Sequence, residues 1–196
     1  MADLVLASAS WSRQMLLSQA GVAFEVVPAD LDEDRLTRAM AGGDGETIAL
    51  ALAEAKALAV SAQMPGRWVL GGDSVLQLGS ELIGKCPDLA ALRHLLKRLA
   101  GQSHRLISAA VLVRDGEPVF RHAAQARLTM RNFSENFLDG YLAAEGETLL
   151  SCVGGYRYEG PGAQLFSQVE GDYFTILGLP LLPVLAALRA QGILDS

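Results

Sequence analysis

Several short stretches of the chain hold residues whose types could do chemistry together. GGDSV, residues 71–75, follows the apolar run WVL, which reads as a buried strand. Its two glycines let another group approach the backbone closely, so Asp73 would emerge at the end of a central strand, where open α/β sheets collect ligands. Standing alone, an aspartate there is as readily a turn cap. ALAEAKALA sets Lys56 in a helix otherwise almost entirely Ala and Leu, where a lysine usually snorkels to solvent unless other charges converge on it. GKCPD places Lys85 between a glycine and a turn proline, without the spaced glycines of a P-loop. ADLDED, residues 29–34, is an acidic run at a strand end that includes Asp32 and Glu33, and such runs are usually solvated turns with N-capping acids. LVLASASWSRQMLL, residues 4–17, starts as a strand, passes through serines and continues with helical spacing, with Arg13 at the mouth. A helix N-terminus offers unpaired N–H groups and a positive dipole end, so this stretch makes a seat for an anion. Capping by Ser8, Ser10 or Ser12 is the commoner use of such residues on this stretch alone. Together, Arg13, Lys56 and Lys85 could hold phosphates, while Glu33 and Asp73 could hold a divalent metal or activate water.

Alternating elements must position these groups. Apolar periodicity predicts strands near 3–8, 23–28 and 67–73, with helices near 11–20 and 46–62 between them. Further on, QLGSELIG reads as a short hairpin and DLAALRHLLKRLA as a helix. HRLISAAVLVRD and PVFRHAAQARLTM read as strands joined at DGEP, and SENFLDGYLAAE as a helix capped by Ser134. The stretch CVGGYRYEGPGAQLF is loop-rich, and a closing helix near 180–191 follows GLP. There is no internal repeat and no clear linker.

Composition excludes several classes. The 196 residues fit one domain spanning 1–196, with two lobes or without, and at 51% hydrophobic but 6% aromatic they suit a soluble α/β protein. A net charge of −6 argues against nucleic acid as a partner. No signal peptide and no uninterrupted apolar stretch of about 20 residues is visible, so the expectation is a cytoplasmic protein without membrane attachment. Cys86 and Cys152 have neither zinc-site nor redox-pair spacing and read as reduced thiols.

In order along the chain, LASASWSRQMLL, DLDE, AEAKA, GGDSVL, GKCP, AGQSH, CVGGYRYEG and ILGLP resemble the motifs of the Maf-like nucleoside triphosphate pyrophosphatases, from Leu4 to about Gly192. The resemblance implies a twisted mixed sheet bent into two lobes around a deep nucleotide-binding cleft, as in inosine triphosphatases, and often a homodimer. It implies hydrolysis of a nucleoside triphosphate to the monophosphate and pyrophosphate with Mg²⁺ or Mn²⁺. Asp73 would be the general base and a metal ligand, Glu33 a metal ligand with Asp32 in reserve, and Lys56, Lys85 and Arg13 phosphate clamps. Ser8, Ser10, Ser12 and Ser74 would line the phosphate seat. Departures from the pattern are Trp11 for proline, Ser12 for the first of two arginines, Ser74 for threonine, Cys86 inside GKP, Cys152 for lysine and Glu159 for glutamine. The last two resemble the branch associated with 7-methyl-GTP. Glu159 would accept from guanine N1–H and N2–H, and Trp11 would stack on the cationic ring, unless it is only a surface hydrophobe at a helix start. The alternatives are an inosine triphosphate-type pyrophosphatase and a non-catalytic nucleotide-binding regulator of cell division and septum formation.

Overall fold

Three consecutive apolar residues, Leu4–Leu6, form strand β1, and all three are fully buried in the computed structural model of the chain, which describes residues 3–40 and 42–195. A strand covered on both faces needs apolar residues at every position rather than at alternate ones. Helix α1 (Trp11–Gln19) follows, then β2 (Phe24–Val26), α2 (Glu33–Ala39), α3 (Gly45–Ser61) and β3 (Trp68–Leu78). β1 pairs in parallel with both β2 and β3, Leu4 standing opposite Phe24 on one side and Trp68 on the other. The remaining elements are β4 (Glu81–Ile83), α4 (Leu89–Leu99), β5 (Ser103–Arg114), β6 (Glu117–Met130), α5 (Glu135–Glu145), β7 (Phe166–Glu170), α6 (Tyr173–Ile176) and α7 (Leu181–Ala190). The protein is a mixed α/β fold with a seven-stranded sheet in the order β2-β1-β3-β5-β6-β7, and β4 pairs with β3.

The chain divides into two compact units. The first holds the residues up to Ser74, Ile107–Ala124 and the segment from Gly178; the second holds Val75–Leu106 and Gln125–Leu177. In the first unit α3 is decisive. Asp44 caps it by accepting from Thr47 N at 2.9 Å, and Ile48, Leu52, Ala53, Lys56, Ala57 and Val60 fall on its buried stripe. Spacings of three and four residues put Lys56 on that stripe, so this lysine does not snorkel to solvent but points into the fold. In the second unit, α4 and α5 are capped by Asp88 and Ser134, and Leu92, Leu96, Leu99 and Leu138 pack with Leu128 of β6 into one core. His104, buried there, has Nε2 2.8 Å from the Tyr156 hydroxyl.

Two features depart from the sequence reading. Strand β3 does not end at Asp73 but runs through Gly71 and Gly72 to Leu78 and into the β4 hairpin, so Asp73 lies mid-strand. The glycines mark close approach by neighbours, not a strand end. The sequence reading also lacks α2, β7 and α6. α2 and α6 are seven and four residues long, and β7 carries exposed Ser167, Gln168 and Glu170, so none presents the periodic apolar signal of a buried element. No helix among the described residues is long and apolar enough to cross a membrane.

Candidate active site

The first unit gathers Asp73, Lys56 and Glu33. A Cβ built on Gly71 would lie 2.1 Å from the Ala53 carbonyl oxygen and 2.9 Å from Ala57 Cβ, so only glycine lets α3 rest directly on β3. Ala53 and Ala57 flank Lys56 on the helix, and the contact brings Lys56 Nζ to 2.7 Å from Asp73 Oδ1. The same ammonium lies 2.9 Å from Glu33 Oε1. Lys56 and Asp73 are both about nine-tenths buried, whereas the Glu33 side chain is 47% exposed. Asp73 Oδ2 has no hydrogen-bond partner among the described residues. Within the acidic run the two readings divide between neighbours. Asp32 is the N-cap of α2, accepting from Arg35 N at 2.9 Å, while Glu33, the first residue of the helix, turns to Lys56.

Arg13 organises the adjoining seat. Its guanidinium is buried and donates from Nε to the Gly178 carbonyl at 2.8 Å, from Nη1 to Ser8 Oγ at 3.0 Å and from Nη2 to Ser74 Oγ at 2.9 Å. Burial draws its pKa below the usual arginine value, and the nearby Asp73 and Glu33 carboxylates oppose that shift. Gly72 makes room for it, since a Cβ there would sit 3.1 Å from Arg13 Nε. Ser74 Oγ is also 2.9 Å from Ser108 Oγ. The capping reading of the serines is not what forms: Ser10 stands at the N-cap of α1, but its hydroxyl meets Ser12 Oγ at 3.0 Å and caps no helix N–H. The first turn of α1 carries no acid either. Ser8 Oγ instead accepts from Ser10 N at 3.3 Å as well as from Arg13. Trp11, the first residue of α1, is 57% exposed. Ser108 and Gly178 are the partners that sequence reasoning missed. A lone serine inside the apolar run of HRLISAAVLV and the glycine of GLP were the available signals.

Lys85 and Glu159 belong to the second unit. Lys85 is exposed in the loop after β4. Glu159 is mostly buried, and its Oε1 accepts from Arg157 Nε at 3.2 Å. Arg157 Nη1 also lies 3.5 Å from the buried Glu145 carboxylate. Cys86 and Cys152 are free thiols, as their spacing implied, and burial pushes both above the ordinary thiol value. No group of three or more His, Cys, Asp or Glu that could hold a metal ion occurs among the described residues.

A sequence profile described as Maf-like protein matches residues 3–191. The chain belongs to the Maf-like family. Among Maf-like relatives, a protein of Rhizobium etli named 7-methyl-GTP pyrophosphatase is 47% identical over 195 residues, covering 98% of each chain. A protein of Hyphomonas neptunium named nucleoside triphosphate pyrophosphatase is also 47% identical, again with 98% of each chain covered. A solved dITP/XTP pyrophosphatase from Mycobacterium abscessus aligns over 97% of this chain and 95% of its own, at 15% identity and a TM-score of 0.44.

Proposed function

We propose that this Maf-like chain hydrolyses a nucleoside triphosphate to the nucleoside monophosphate and pyrophosphate, with 7-methyl-GTP as the preferred substrate. The observation that carries the reading is the assembly of Arg13, Glu33, Lys56 and Asp73, drawn from four separate motifs, into one charged cluster of the first unit. Five relatives at 46–48% identity carry the name 7-methyl-GTP pyrophosphatase, which supports the choice of base.

Water attacks the α-phosphorus, the bond from that phosphorus to the bridging oxygen breaks, and pyrophosphate leaves with the electron pair. Asp73 takes the proton of the attacking water on Oδ2, the oxygen that Lys56 does not hold. Lys56 offsets phosphate charge, as does Lys85 on the strength of its motif position. Arg13 uses three of its five N–H groups to orient Ser8, Ser74 and the Gly178 carbonyl, and adds its charge to the seat. Ser10, Ser12 and the uncapped N–H groups of α1 complete that seat.

The donor set suits a hard divalent cation. Glu33 and Asp73 each bring a carboxylate oxygen within 3 Å of one point, the Lys56 ammonium, and Mg²⁺ sites commonly combine one or two carboxylates with substrate phosphates and water. When bound, Mg²⁺ or Mn²⁺ supplies neutralisation of the charge that develops on the phosphate oxygens. Glu159 is assigned to the base as acceptor for guanine N–H donors, and Trp11 to stacking on the cationic ring, from their motif positions and, for Trp11, its exposure.

Pyrophosphate release from 7-methyl-GTP, GTP, ITP, UTP and dTTP, with and without Mg²⁺ or Mn²⁺, tests the reading. Metal-dependent release led by 7-methyl-GTP is the expected result. Release from none of them would sink it.

A further inference from the structure

The position that suits a divalent cation is already held by an ammonium. Lys56 Nζ lies 2.7 Å from Asp73 Oδ1 and 2.9 Å from Glu33 Oε1, so one lysine binds both carboxylates at once. The lysine is not a surface group that drifts in: it is 8% exposed, on the buried stripe of α3, and Gly71 clamps that helix against β3. Around it the charges balance. Lys56 and Arg13 stand against Glu33 and Asp73, and both carboxylates act electrostatically on Arg13. No third carboxylate, histidine or cysteine groups with the pair into a metal site among the described residues.

From this arrangement we infer that Lys56 is a placeholder for the cation, one that excludes metal until a polyphosphate draws it away. The inference rests on the assignment of Glu33 and Asp73 to the divalent ion. A cation arriving alone meets two carboxylates that are already paired, inside a cluster of zero net charge, and it must displace a desolvated ammonium with nowhere better to go. A triphosphate changes both terms. It brings several negative charges, gives Lys56 new oxygen acceptors, and so frees Glu33 and Asp73 for the cation that travels with it. The site is therefore loaded by metal and nucleotide together, and the free protein does not scavenge metal.

Binding of Mn²⁺ alone to the full chain, read by the loss of the free Mn²⁺ paramagnetic resonance signal, tests this without any turnover. Lys56→Met, with folding checked by circular dichroism, is expected to bind Mn²⁺ at least about tenfold more tightly than wild type, while Lys56→Arg, which keeps a cation there, stays as weak as wild type. A gain below about twofold in Lys56→Met, or an equal gain in Lys56→Arg, overturns the inference. The wild type gives a second reading that needs no variant. The ¹⁵N resonance of Lys56 Nζ should hold still on addition of Mg²⁺ alone and move when pyrophosphate is added with it; movement with Mg²⁺ alone overturns the placeholder role. A parallel pyrophosphate-release assay on wild type separates the two levels. Metal-dependent hydrolysis without the Mn²⁺ gain removes only the placeholder, whereas absence of hydrolysis removes the proposed function and leaves the Mn²⁺ result to stand by itself.

Discussion

Asp73 gives one carboxylate oxygen to Lys56 and keeps the other clear of partners among the described residues, a division that suits a base better than a structural ion pair. Asp73→Asn preserves the shape and leaves Oδ1 able to accept from Lys56, but it removes the proton acceptor. Turnover should fall by roughly 10²-fold or more while nucleotide still binds, by single-turnover kinetics and equilibrium dialysis. Turnover within a few-fold of wild type would strip Asp73 of the role. Glu159 is tested by a ratio rather than a rate. In Glu159→Gln the amide oxygen can still accept from Arg157, so the loop keeps its tie, but one acceptor for a guanine N–H becomes a donor. Activity on 7-methyl-GTP relative to UTP or dTTP should drop by about tenfold or more, because a site built on acceptors discriminates through the groups it would otherwise leave unpaired. Equal loss on every base would mean that Glu159 only holds the loop through Arg157. Residue types and spacing offered Asp73, Lys56, Glu33 and Arg13 as candidates, and the family resemblance implied their roles; neither could reveal that Arg13 ties Ser8 and Ser74 to a carbonyl 165 residues away from it.

At the scale of elements, the contact of α3 with β3 sets the geometry on which Lys56 depends. Gly71→Ala would place a methyl group 2.1 Å from the Ala53 carbonyl, forcing the helix off the strand. Overpacking of this kind typically costs about 1–3 kcal/mol, so the variant should melt at lower temperature. It should also lose more in kcat than Gly140→Ala, since the glycine at 140 has open space around its Cβ position, has helical backbone and lies in α5, away from the contact of α3 with β3. Comparable kcat for the two variants would show that Lys56 is not placed by this contact. The elements with strong periodicity were legible: α1, α3, α4 and α5 lie within a few residues of their expected spans. The end of β3 was not, because two glycines in succession carry no side-chain pattern, and a stop and a close approach look alike in sequence. Lys56 was ambiguous for a similar reason. Its neighbours Ala53 and Ala57 are small enough for either a solvent face or a tight interface, and the strand that chose between them starts at Trp68.

For the whole molecule, His104 links global stability to pH. It is buried, and burial lowers its pKa from 6.5 to about 4. The native form keeps the ring neutral down to that value, whereas the unfolded chain takes up a proton from about pH 6.5. The stabilisation is therefore complete above pH 6.5 and is lost as pH falls toward 4, by up to about 3 kcal/mol. Urea unfolding at pH 7, 6, 5 and 4 should show this loss in wild type and a shallower slope in His104→Gln. Parallel slopes would assign the pH dependence to carboxylates instead. The hydrogen bond from Arg13 to the Gly178 carbonyl has a consequence for how the protein comes into being. During synthesis Ser8 and Ser74 become available to Arg13 well before Gly178 does, so the guanidinium lacks the acceptor for its Nε until Gly178 is free of the ribosome. Helix α1 can form early from its own sequence, but the complete three-bond hold on the guanidinium waits for nearly all of translation. A nascent chain in this sense completes this set of bonds late, and pyrophosphate release by ribosome-tethered full-length chains on C-terminal linkers too short, or long enough, to bring Gly178 out of the exit tunnel would show whether activity waits for that bond.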